Sequence, residues 1–285
     1  MSSPEMPTPE MPTPEWYDRQ YDPRRPERPM PAIMADWTSR SEQTRARHTR
    51  KTFAYGPHPL ENFDLYRAPN PKGALVFYHG GYWRSCSKDE HGWIAEDFVA
   101  AGISVAVMNS PLCPEVTLRE INASVQLGLS YLYREALDAV ERSRLVVAGH
   151  SAGGYLAAGQ MLVDWPTAGG LPRSPFAAVL AISGLFDLVP LTHTQMNAWL
   201  RLDADAARAL SLSHKRPLVP ATPVSLAVGA LESSEFQRQS RDLGGAWSPC
   251  VNNDITILPG RHHFDILDDL TRGGPLFNFI TEAVG

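Results

Sequence analysis

Residues 144–158 read RLVVAGHSAGGYLAA. Leu145, Val146, Val147 and Ala148 make an unbroken apolar run of strand length, the pattern of a strand buried on both faces. Gly149-His150-Ser151-Ala152-Gly153 comes next, and residues suited to a helix follow it. A chain of this length holds a G-x-S-x-G by chance roughly 0.1 times at average Gly and Ser usage. Its position between a buried strand and a helix therefore carries the reading. A nucleophile elbow requires that context: the glycines allow a sharp turn that lifts the Ser151 hydroxyl clear of the sheet. The helix starting there turns its free N–H groups and positive dipole end toward the same spot. Ser151 is the candidate nucleophile.

Working outward, apolar runs of strand length alternate with segments long enough for helices. ALVFYH (74–79), ISVAVMNS (103–110), FAAVLAIS (176–183), PVSLAVGA (223–230) and DITILPG (254–260) have the same character as RLVVAGH. Helices are expected near 89–102, 117–137, 151–165, 233–247 and 264–270, with a polar, Leu-studded region at 185–215 that could form a lid. Earlier in the chain, KTFAYG and ENFDLYRAP flank PHPL and read as an antiparallel hairpin. The fold class is α/β: a mostly parallel central sheet with helices on both faces. Right-handed crossovers place the strand C-terminal ends on one edge, where functional residues should gather.

A serine hydroxyl needs a base within hydrogen-bond reach. When nucleophile, acid and base follow one another along an α/β chain, the base sits on a loop after the last strand. ITILPGRHHFDIL supplies His262 and His263 there, and spacing alone does not choose between them. His48, His58, His91, His193 and His214 fall on expected surface segments, His79 lies in a glycine loop, and His150 is expected to point away from the site. An acid that orients the imidazole and stabilises its charged form should follow a late strand. Glu232, three residues after Gly229, is so placed, with Asp187 and Glu235 as rivals.

His79-Gly80-Gly81-Tyr82-Trp83 follows the run ALVFY. Adjacent glycines suit a backbone that must approach something closely. Acyl transfer builds negative charge on a carbonyl oxygen, and N–H groups must already face it. One would come from Ala152, directly after the nucleophile, and others from this loop.

The 285 residues are 43% hydrophobic and 20% charged with a formal charge of -5, the composition of a globular domain with no pull toward nucleic acid. DPRRPERP reads as a solvated arm. No apolar run approaches the roughly 20 residues that cross a bilayer, and the N-terminus lacks the pattern of a signal peptide. Cys86, Cys113 and Cys250 are too few and too scattered for a disulfide framework or a zinc site. A cytoplasmic protein with no cofactor and no metal is expected, with a small-molecule substrate as its partner and a homodimer left open. PEMPT occurs twice within residues 1–15, a tail expected to be disordered. Residues 16–285 are expected to form one domain, in which 16–50 wrap the core through Trp16, Tyr17, Tyr21 and Trp37.

With these residues in place, the chain resembles the α/β-hydrolase kynurenine formamidases (arylformamidases) and their bacterial relatives. That family carries HGGxW, matched at His79–Trp83, and GxSxG, matched at Ser151. Its D-S-P-E-F-x-R-Q-S segment bears the acid, and here it reads ESSEFQRQS. The resemblance thus assigns the acid to Glu232 and matches Glu235 to the neighbouring glutamate. The family's H-F-D matches His263-Phe264-Asp265 and selects His263. Likeness to the wider HGG-type esterases implies an oxyanion hole at Gly80, Gly81 and Tyr82 with Ala152. The resemblance runs from about Tyr21 to the C-terminus. Glu in place of Asp at the acid, Cys113 within NSPLCPE, and residues 185–215 depart from the family pattern. The implied activity is that of a serine hydrolase cleaving a small aryl formamide such as N-formyl-kynurenine, with Tyr82 and Trp83 stacking on the aryl group. A short-chain carboxylesterase of the same fold is the alternative. A non-catalytic hydrolase-fold binding protein is the third reading, and such proteins usually lose a triad member.

Overall fold

The computed structural model describes residues 12–24, 29–219, 221–248, 250 and 255–285. The tail expected at 1–15 lies outside them through residue 11. Its last residues are helical, not disordered, because α1 (Pro14–Tyr21) starts inside it. The Thr13 hydroxyl accepts the Trp16 N–H and Pro14 opens the first turn, so TPEW is a helix start.

After α2 (Met30–Arg47) come β1 (Arg50–Ala54), β2 (Asn62–Tyr66), β3 (Gly73–Tyr78), α3 (Ala95–Ala100), β4 (Ile103–Met108), α4 (Leu118–Tyr131) and α5 (Ala139–Ser143). The second half runs β5 (Leu145–His150), α6 (Ala152–Gly159), α7 (Trp165–Ala168), β6 (Ala178–Ile182), α8 (Asn197–Leu200), α9 (Ala204–Leu210), β7 (Val224–Gly229), α10 (Ser234–Ala246), β8 (Thr256–Leu258) and α11 (Pro275–Val284). The eight strands form one sheet in the order β1-β2-β4-β3-β5-β6-β7-β8. β1 and β2 form the expected hairpin and β2 pairs antiparallel with β4, while every pair from β4 onward is parallel.

The apolar runs are continuous because successive side chains enter two different cores. Ala74, Val76, Leu145 and Val147 pack on one face with Ile121 and Val125 of α4 and Tyr155 of α6. Leu75, Phe77, Val146 and Ala148 pack on the other with Phe98 of α3 and Phe277 and Ile280 of α11. Each of these Val, Leu, Ile and Phe side chains contributes about 1.5–3 kcal/mol on leaving water. Within 264–270 the chain forms only a short 3-10 helix, Asp265–Leu270, and the helix closing that face is α11, which the strand-and-helix reading did not single out. No helix among the described residues is long and apolar enough to cross a membrane.

Candidate active site

The turn after β5 is held at both ends. The Ser151 N–H donates to the Ile182 carbonyl at 2.8 Å, and the Ser151 carbonyl accepts from the Tyr155 N–H at 3.2 Å. Between these anchors Ser151 takes φ 58°, ψ −122°, a backbone shape that costs about 1–3 kcal/mol and persists only where its surroundings impose it. The flanking glycines are needed for space. A Cβ on Gly153 would sit 2.0 Å from the Tyr78 carbonyl oxygen, and one on Gly149 would sit 2.1 Å from that of Gly153. The elbow fits only because both side chains are hydrogen.

Of the three candidate acids, Glu232 is the one that meets an imidazole. Its Oε2 lies 2.7 Å from His263 Nδ1, with both side chains buried. Oε1 accepts the Ser183 hydroxyl at 2.5 Å and the Gly229 N–H at 2.7 Å. A carboxylate only accepts, so Nδ1 carries the proton and Nε2 is the basic nitrogen. Ser151 and His263 line the same cavity, with no direct hydrogen bond between them among the described residues. Such pairs are often looser before substrate binds.

The rivals are occupied elsewhere. Glu235 Oε2 accepts the Tyr21 hydroxyl at 2.6 Å and pairs with Arg238, so it anchors the N-terminal wrap. Arg238 holds its carboxyl below the usual range. The Asp187 carboxylate caps the Val189 N–H and faces Arg238. His262 pairs with Asp265 at 3.1 Å. Ser183, which fixes the acid, was missed; its only signal is its place directly after strand β6.

The glycine loop lies against the elbow. A Cβ on Gly80 would be 3.2 Å from that of Ser151, and Gly81 has φ +106°. His79 Nδ1 donates to the Gly80 carbonyl at 2.7 Å, which leaves the Gly81 N–H on the opposite side of that planar peptide. The N–H groups of Gly81, Tyr82 and Ala152 have no acceptor among the described residues. Tyr82 borders the cavity and donates its hydroxyl to the Tyr21 carbonyl. Trp83 does not border it. At φ 56° its ring turns into the core, edge-on to Tyr155 at 5.3 Å, so the expected stacking of Trp83 on substrate is replaced by packing.

Two further expectations need correction. His150 does not point away: it borders the cavity and donates Nε2–H to the His263 carbonyl at 2.7 Å, pinning the loop that carries that residue. His91 is not on the surface but 1% exposed, with its ring 5.5 Å from that of His79 and 5.1 Å from Trp37. Burial keeps His79 and His150 below the usual imidazole range and pushes His91 down to about 3. These side chains stay neutral in the fold and take up protons on unfolding below about pH 6.5, so stability falls as pH drops from there toward the folded values. His91→Gln should flatten the slope of unfolding free energy between about pH 5 and 6 by about 1 kcal/mol per pH unit. Urea titrations at several pH values check this, and parallel slopes would show that His91 titrates normally in the fold.

The cavity, of about 1040 Å³, is walled by the glycine loop and Ser151, by parts of the N-terminal wrap within 18–24 and 29–37, and by Thr194–Met196 and Trp199 of the expected lid. The model of the α/β hydrolase fold matches residues 75–218, half of the chain and all of the glycine loop and elbow. The chain belongs to the α/β-hydrolase family. This hydrolase is 28% identical to the kynurenine formamidase of Salmo salar across 90% of its own length and 91% of that protein. It is 29% identical to that of Danio rerio across 81% of each. A solved structure from Silicibacter sp. tm1040, a presumed thioesterase, is 30% identical, with a TM-score of 0.82 over 93% of this chain and 98% of that one. The resemblance to the arylformamidases thus extends along most of the hydrolase.

Proposed function

We propose that this hydrolase cleaves small aryl formamides, with N-formyl-kynurenine the leading candidate, through an acyl-enzyme on Ser151. The buried Glu232–His263 pair at the cavity that also holds Ser151 carries the reading. Ser151 Oγ attacks the formyl carbon while His263 Nε2 takes its proton. The oxyanion that forms is met by the N–H groups of Gly81, Tyr82 and Ala152, and Gly80 serves by being small enough to let the loop approach. His263 then protonates the aryl amine as it leaves. Water attacks the formyl-enzyme, giving up a proton to His263; formate departs and the proton returns to Ser151. Residues 16–50 and 185–215 act as the cover of a single catalytic domain.

A pocket selective for formyl can close tightly around hydrogen, whereas each methylene in an apolar acyl pocket is worth about 1–3 kcal/mol, roughly 10–200-fold. With one common aryl amine, kcat/KM should therefore fall from formyl to acetyl to butyryl. The carboxylesterase reading has one observation in its favour: the cavity stands at the upper end of the roughly 300–1,000 Å³ usual for ligand sites. Preference for butyryl esters with inert formyl amides would establish that reading instead.

A further inference from the structure

We propose that Arg84 sets specificity by binding a carboxylate carried on the leaving group, so that the preferred aryl amides are anionic. The proposal rests on the reading of the cavity as an aryl-amide site. Arg84 follows the oxyanion residues in the same turn: its N–H donates to the Gly81 carbonyl at 3.1 Å. A turn closed this way keeps its end Cα atoms within about 7 Å, so the side chain starts close to the reacting centre. It borders the cavity, and its guanidinium carbon lies 4.4 Å from the Trp199 ring centroid. Stacking on an indole uses the face of the guanidinium and leaves its N–H edge free, the edge that takes a carboxylate through two parallel hydrogen bonds.

That edge is unused. The guanidinium has no hydrogen bond or ion pair among the described residues, and its Nε is buried without a partner. The other charges that border the cavity among the described residues are engaged. Arg24 makes two hydrogen bonds of 2.7 Å to Asp22, and Asp18 accepts the Gln195 N–H at 2.7 Å. Among the described residues Arg84 is therefore the positive charge left for a ligand, and Trp199 fixes where that ligand's anionic end must lie. Tyr82, Trp37 and Phe264 border the same cavity, and their rings suit an aryl body.

Titration calorimetry of kynurenine and of its primary carboxamide tests this, since the two differ only in the anionic group. The wild type should bind the acid at least about tenfold more tightly, the scale of a charge-assisted hydrogen-bonded pair. Arg84→Gln should bring the ratio to about one, and Arg84→Lys, which keeps the charge but loses the planar fork, should fall between. Equal affinities in the wild type, no binding of either compound, or a preference that survives in Arg84→Gln would overturn the proposal. Turnover of N-formyl-kynurenine by the wild type reports separately on the reaction itself, so the two readings can fail independently.

Discussion

Ser151→Ala is expected to lower kcat by roughly five to six orders of magnitude, leaving only what the oxyanion donors and binding supply. The fold should be indifferent to the change. The strain at this position is a backbone property, φ 58° and ψ −122°, and alanine bears it at the same cost. The anchoring bonds to Ile182 and Tyr155 are main-chain bonds and remain. The melting temperature should therefore stay within a few degrees of wild type, as for a change worth less than about 1 kcal/mol. Steady-state kinetics beside a thermal melt separates lost chemistry from lost structure. Substantial activity in a folded Ser151→Ala protein would remove the proposed nucleophile.

His263→Ala is expected to cost several orders of magnitude in kcat, because among the described residues bordering the cavity it is the imidazole paired with a carboxylate. His262→Ala is the internal control. Its partner is Asp265, so its loss disturbs the same loop without touching the base. Glu232→Gln should lower kcat roughly a thousand- to ten-thousandfold, since an amide no longer stabilises the imidazolium and can hold the wrong tautomer. Glu232→Asp should retain part of the activity, because the Ser183 hydroxyl and Gly229 N–H still offer donors to a shortened carboxylate. Equal losses at His262 and His263, or an Asp187→Asn variant more impaired than Glu232→Gln, would contradict this arrangement.

The fold and the candidate triad were legible in the sequence for different reasons. The strands could be read because each is buried on both faces, which writes itself as an unbroken apolar run such as ALVFY or LVVAGH. Ser151 could be read because a tight elbow admits only glycine at 149 and 153. The choice of His263 over His262, and of Glu232 over Asp187 and Glu235, came from family likeness, since all are polar residues on loops and spacing does not separate them. What stayed hidden depends on long-range packing. His91 and His150 look like ordinary polar residues, yet the turn at 87–91 and the elbow bury them. Trp83 looked like a substrate contact because aromatics beside a glycine loop do not reveal which way they turn. The wrap itself could be read from its aromatics Tyr21 and Trp37, but not its partner: Tyr21 reaches Glu235 across 214 residues, and no local pattern announces such a contact.

The most direct test of the central claim, that Ser151 is a nucleophile activated in this cavity, is labelling with a fluorophosphonate followed by mass spectrometric mapping of the adduct. Such a probe bonds covalently to a serine only where a base and oxyanion donors assist its attack. One adduct per chain, on the peptide containing Ser151 and absent from His263→Ala, is the expected result. Stoichiometric labelling at another residue, or an unlabelled Ser151 in protein that turns over its substrate, would contradict it.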